Sequence, residues 1–219
     1  MKTNQKPRAA PTRGLPNREK ILSHFSRRDP VIAGIIRDYG PFRLKSNKNY
    51  FVVLCKAIVS QQISTRAAET IFRRFLHIFD GKPPTPQRIF AVPESSLTNA
   101  GLSRQKAAYI KDLSRRFLDK TIRPHRLPYL SNEDAILQLT AVHGIGRWTA
   151  EMFLIFSLNR LDVLPLGDQG FQTAVKKIYN MKRAPSAKTM KALGEKWHPY
   201  ETIATWYAWR TLDENIIAY

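Results

Sequence analysis

The 219-residue chain carries 36 Lys and Arg against 17 Asp and Glu, a net charge of +19, with 43% hydrophobic residues. This is enough for one good-sized core or two small lobes, and the charge points to a polyanionic partner, nucleic acid before an anionic membrane surface. A single cysteine, Cys55, excludes an internal disulfide, a Cys-rich zinc site and a four-cysteine iron–sulfur cluster, and fits an intracellular protein.

The chain opens with "MKTNQKPRAAPTRGLPNR", which has five basic residues, no acidic ones and three prolines. It lacks the apolar segment of a secretory signal and reads as a disordered basic tail over residues 1–20. Asp29-Pro30 opens a helix that Gly40-Pro41 stops. "YFVVLCKAIVSQQ" is apolar nearly all round at its start and predicts a buried helix, with Cys55 as a small buried hydrophobe. Ser64 caps the next helix, "TRAAETIFRRFLHIF", which ends at Asp80-Gly81, and "GKPPTP" is a loop. "SRQKAAYIKDLSRRFLDK" predicts a basic amphipathic helix, which two prolines in "TIRPHRLPYL" interrupt. Ser131 to Asp134 forms a capping signature ahead of Ile136, Leu137 and Leu139. Two helices follow Asp168 and Ala187, and the last begins after Pro199. Only the short "DVLPL" reads as strand-like. No apolar run approaches the ~20 residues needed to span a bilayer. The fold class is all-α.

The helix from Ser131 ends near Val142. A new one begins at Arg147, where Trp148, Met152 and Ile155 keep helical spacing. Only His143-Gly144-Ile145-Gly146 joins them. Either this is a tight helix–helix turn that uses glycine as a stop, or it is a phosphate seat. In the second case the glycines take positive φ and the amides opening the next helix face an anion.

Asp168, in "LPLGDQGF", follows a Pro/Gly-containing loop and starts a helix. It is either an N-cap or a reagent whose anion stabilises positive charge developing on a sugar as an N-glycosidic bond breaks. Six aromatics, Trp148, Trp197, Tyr200, Trp206, Tyr207 and Trp209, crowd the last third. They either pack the core or stack on bases. Trp206 and Trp209, three apart, form one core-facing stripe. The five histidines lack metal-ligand spacing, and His143 reads as a loop residue.

"LTAVHGIGRWTAEMFLIFSLNRLDVLPLGDQG" resembles the helix-hairpin-helix signature and the following Asp loop of the helix-hairpin-helix DNA glycosylases. "IVSQQISTRAAETIF", "GLSRQKAAYI" and "KWHPYETIATWYAWR" resemble the DNA-3-methyladenine glycosylase II branch in the same order, so the similarity spans roughly residues 30 to 215. It implies a glycosylase unit over 21–219 made of two helical lobes with DNA bound across a cleft. The helix-hairpin-helix would occupy 131–157 and the Asp loop 161–170. Asp168 falls on the family's catalytic aspartate. His143, Gly144, Ile145, Gly146, Arg147 and Thr149 fall on the DNA-backbone contacts. The carbonyls of Thr140, Val142 and Ile145 fall where relatives hold a monovalent cation, Na+ or K+. Trp148, Met152 and Tyr200 fall on base-pocket positions. Gln61 or Gln62, with Leu102, Ser103 and Arg104, fall where relatives wedge the DNA and fill the gap.

The departures also inform. Lyase relatives carry a lysine at the position of Trp148, and tryptophan cannot form a Schiff base. The larger relatives carry an N-terminal β-rich domain that this chain is too short to include. Glu201 stands where many relatives have a basic residue, which bears on lesion choice. The resemblance implies a monomeric, monofunctional glycosylase that acts on double-stranded DNA containing 3-methyladenine and related alkylated bases, without an iron–sulfur cluster. The alternatives are the same fold acting on uracil, hypoxanthine or an oxidised purine, and a non-catalytic DNA-binding module.

Overall fold

A computed structural model describes residues 16–44 and 46–212. Residues 1–15, most of the expected basic tail, lie outside the described residues. Arg18 to Lys20 are helical rather than part of a tail. Asn17 accepts the Lys20 amide at 2.8 Å and so caps α1 (Arg18–Arg28). Ile21 and Phe25, four apart, bury its apolar stripe.

The helices fall into two compact units. One comprises residues 16–44, 128–131 and 159–212; the other comprises 46–127 and 132–158. Among the described residues all regular structure is helical, and no helix is long and apolar enough to cross a membrane.

The first unit contains α1, α2 (Pro30–Tyr39), α10 (Gln169–Ile178), α11 (Ala187–Trp197) and α12 (Glu201–Arg210). Phe25, Ile32, Phe171, Trp197, Ile203 and Tyr207 are at the centre of its core. Asp29 ends α1 and caps α2. Its buried carboxylate also accepts the Tyr179 hydroxyl at 2.5 Å and the Trp197 indole N–H at 2.8 Å. A buried carboxylate is tolerated because donors surround it.

"DVLPL", expected as strand-like, is irregular backbone. Thr202 is responsible. Its amide donates to Leu161 O, its hydroxyl donates to Arg160 O at 2.7 Å, and the same hydroxyl accepts the Val163 amide. The backbone of Arg160, Leu161 and Val163 thus bonds to the first turn of α12 instead of a neighbouring strand. That fixes the path of the chain into Asp168.

The second unit contains α3 (Tyr50–Ser60), α4 (Thr65–His77), α5 (Pro86–Ala91), α6 (Glu94–Asn99), α7 (Arg104–Leu118), α8 (Asn132–Thr140) and α9 (Arg147–Phe156). The basic amphipathic helix α7 packs against α3, α5 and α6, and α8 pairs with α9. Leu54, Cys55 and Ile58 of α3 are fully buried. Burial pushes the Cys55 thiol far up, so this cysteine is packing material.

Candidate functional site

The hairpin between α8 and α9 lines an open depression formed by residues 140–146. Its two glycines have different jobs. Gly144 has φ +83, and a Cβ there would lie 2.1 Å from Cδ2 of Tyr109. Both its conformation and the tyrosine beneath it require glycine. Gly146 has φ −83, not the positive φ expected of it, and a Cβ there would meet nothing. It also gives α9 no side-chain cap. The Gly144, Gly146 and Arg147 amides have no partner among the described residues. An outward helix N-terminus of this kind seats an anion.

The Ile145 amide, expected to be bare, and the His143 amide are both occupied internally. The Ile145 amide donates to Val142 O at 3.1 Å. The His143 amide and ring Nδ1 both bond Oδ2 of Asp112, at 3.0 and 2.9 Å. Asp112 also receives Arg115 and Arg116 of its own helix. Burial acts to raise Asp112, but these donors outweigh it and hold the carboxyl well below the usual carboxylate range.

Arg147, expected among the DNA-backbone contacts, has its side chain engaged within the hairpin. Its guanidinium grips both oxygens of Glu133 on α8, at 2.9 and 2.6 Å, and reaches Glu151 on α9 at 3.0 Å. A bidentate pair fixes geometry as well as charge. Arg147 therefore braces the two helices against each other. Thr149 is half-buried one turn into α9.

Trp148 and Met152 stand four apart on α9. The indole is 40% exposed, whereas Met152 is buried. Of the expected wedge residues, Leu102 is buried, and its amide donates to Leu97 O at 3.4 Å. Ser103 is the N-cap of α7, and its hydroxyl accepts the Lys106 amide. Arg104 is exposed. Gln61 is half-buried and donates from Nε2 to Gly144 O at 2.7 Å, while Gln62 is exposed with φ +55.

The first unit holds Asp168 and Tyr200. Asp168 caps α10 and is only 8% exposed. Its Oδ1 accepts the Phe171 amide at 2.5 Å and the Trp209 indole N–H at 3.0 Å. Both donors complement a negative charge. A Cβ on Gly170 would lie 3.3 Å from the same oxygen, so glycine there keeps the carboxylate uncrowded. Trp209 does not simply extend the core stripe of Trp206. Trp206 is buried, whereas Trp209 is half-buried and turns its N–H to Asp168. Its i, i+3 spacing from Trp206 gave no sign of that bond.

Tyr200 is buried at the entry to α12, its ring centroid 5.0 Å from that of His24 in an edge-to-face arrangement. Beside it Glu201 bonds Nδ1 of His198 at 2.8 Å. Burial pushes the Glu201 carboxyl up, against the opposing effect of that hydrogen bond.

The comparisons with known proteins agree with one another. A family model described as "HhH-GPD superfamily base excision DNA repair protein" matches residues 55–199. DNA-3-methyladenine glycosylase 1 of Schizosaccharomyces pombe is 31% identical over 212 residues, 91% of this chain and 93% of that protein. A DNA-3-methyladenine glycosidase from Bacillus halodurans superposes with a TM-score of 0.83 at 33% identity, covering 90% of each chain. A Schizosaccharomyces pombe 3-methyladenine DNA glycosylase in complex with abasic DNA superposes with a TM-score of 0.77 at 32% identity, covering 91% of this chain and 98% of that one.

Proposed function

The chain belongs to the HhH-GPD superfamily of base excision DNA repair proteins, and from that premise we propose that it is a monofunctional DNA glycosylase. It hydrolyses the N-glycosidic bond of 3-methyladenine and related alkylated bases in double-stranded DNA. The observation that carries the reading is Asp168, a buried carboxylate with two N–H donors on one oxygen. It occurs in a chain that also holds a bare-amide hairpin and aligns over nine-tenths of its length with proteins named for this activity.

The hairpin amides take a backbone phosphate, a contact that reads no sequence. The carbonyls of Thr140, Val142 and Ile145 suit a monovalent cation beside it. Thr140 ends α8, so its carbonyl lacks an intrahelical partner at the negative end of the helix dipole. The damaged nucleotide leaves the stack. The resemblance gives Trp148, Met152 and Tyr200 to the flipped base, and an indole attracts a cationic ring.

An alkylated purine already carries positive charge and departs without being protonated. As the bond breaks, positive charge moves onto the sugar. The Asp168 carboxylate stabilises it and orients the water that completes hydrolysis. Trp148 provides no amine, so the reaction stops at the abasic site. The enzyme acts as a monomer and needs no iron–sulfur cluster.

The decisive experiment measures free base released from methylated duplex DNA. Wild type releases 3-methyladenine. Asp168→Asn releases none while its duplex affinity stays within about twofold of wild type, since DNA binding rests mainly on backbone contacts elsewhere. Release by the Asn variant at the wild-type rate would refute this mechanism. Duplexes carrying uracil, hypoxanthine or an oxidised purine, run in parallel, define the lesion range.

A further inference from the structure

One face of α7 carries Lys106, Tyr109 and Asp112 at i, i+3 and i+6, and each meets the α3–α4 turn or the hairpin. Asp112 holds His143. Tyr109 lies under Gly144, leaving no room for a Cβ. Lys106 points its ammonium at Val59 O (2.8 Å) and Gln61 O (2.7 Å). These are carbonyls at the C-terminal end of α3, where a helix lacks its own donors. Burial lowers the Lys106 ammonium. In a chain with charge +19, this cation is turned inward.

Gln61 is thereby fixed at both ends. Lys106 holds its backbone carbonyl, and its own side-chain amide donates to Gly144 O at 2.7 Å, across 83 positions of sequence. The next residue, Gln62, is exposed in the left-handed region at φ +55. That conformation costs a non-glycine residue roughly 1 kcal/mol and persists only where neighbours enforce it.

We propose that Gln61 and Lys106 are positioning residues that lock the α3–α4 turn onto the hairpin, so that Gln62 meets DNA in fixed register with the phosphate clamp. Gln61 is then a strut, and Gln62 is the residue that probes the duplex. The proposal rests on the reading of the hairpin as a DNA clamp. Its consequence is selective. The clamp amides survive loss of the strut, so affinity for ordinary duplex persists. Recognition of a disrupted site needs both elements in register, so it suffers.

The test compares wild type, Gln61→Met and Lys106→Met by fluorescence anisotropy. The probes are an undamaged duplex and the same duplex with a central tetrahydrofuran abasic site. Wild type prefers the abasic duplex. Each Met variant loses about fivefold of that preference while its affinity for undamaged duplex stays within about twofold, the scale of one or two lost hydrogen bonds. Thermal melts confirm that the variants are folded at the assay temperature. If Lys106→Met fails to fold, Gln61→Met, with its half-exposed side chain, carries the decision. Retention of the wild-type preference in the folded variants overturns the proposal, as does a wild type with no preference. Base release from methylated DNA by the same wild-type preparation is scored separately. Its absence refutes the glycosylase reading, and the preference ratio still decides the positioning role.

Discussion

The indole N–H of Trp209 donates to Oδ1 of Asp168 at 3.0 Å, across 41 positions of sequence. Together with the Phe171 amide it fixes one oxygen of the carboxylate and thus the rotation of the whole group. Trp209→Phe removes the donor and keeps most of the ring. A hydrogen bond to a charged group contributes roughly 1.5–3 kcal/mol, so single-turnover base release should fall about 10- to 100-fold. Duplex affinity should hold, because the indole acts through Asp168. Quenched-flow or manual sampling at saturating enzyme gives the rate, and anisotropy gives the affinity. A rate within twofold of wild type would remove Trp209 from the machinery.

The hairpin glycines predict opposite behaviour for one substitution. Gly144→Ala places a Cβ 2.1 Å from the Tyr109 ring at φ +83. It should cost on the order of 1–3 kcal/mol in stability and lower the melting temperature by several degrees. Gly146→Ala meets no protein atom and keeps an ordinary φ. Its melting temperature should stay close to wild type, while a Cβ in the phosphate's approach weakens duplex binding by about tenfold or more. Melts and anisotropy on the two variants separate a fold glycine from a ligand glycine. Equal effects of both substitutions on stability would contradict the assignment.

The parts legible in the sequence are the local ones. Gly144 and Gly146 interrupt a helical pattern within four residues, and Asp168 announces itself by standing before a helix. Trp209 was hidden because its period matches Trp206, and periodicity cannot report a hydrogen bond to a residue 41 positions away. Asp112 sits inside a run of lysines and arginines, where a carboxylate reads as one more surface charge. Its partner His143 lies 31 positions on. The side-chain partners of Arg147 are not legible, because Glu133 and Glu151 meet it only once the hairpin forms. Helix α1 was lost among the basic residues of the tail, since Asn17 is a weak signal until Ile21 and Phe25 have a core to enter.

Asp112 makes stability depend on pH with a definite sign. Its folded carboxyl is held well below the usual range by Arg115, the His143 amide and Arg116, which outweigh burial. The unfolded chain takes up that proton at the ordinary value near 4, so the stabilisation is complete above that pH and is lost as pH falls through the lower folded value. Asp112→Asn should therefore cost roughly 1–3 kcal/mol at neutral pH. The gap in melting temperature from wild type should stay constant down to about pH 5 and narrow progressively below about pH 4. Paired melts across that range test it. A gap that is unchanged in acid would mean that Asp112 acts through packing alone.

Trp148 predicts where the chemistry stops. It stands in the first turn of α9, two residues beyond Gly146, with its indole 40% exposed. A lyase needs an amine that condenses with the sugar, and an indole nitrogen has no lone pair to give. Borohydride added during turnover should therefore trap no covalent protein–DNA adduct, and the product strand should break only on later treatment with alkali. Trp148→Ala should lower stability, because more than half of the residue is covered, and thermal melts confirm that the variant is folded at the assay temperature. Base release should fall by about tenfold or more, since stacking on one base contributes roughly 1–3 kcal/mol. A trapped adduct would show that another amine in the chain reaches the sugar. Unaltered release by the alanine variant would move the base contact away from α9.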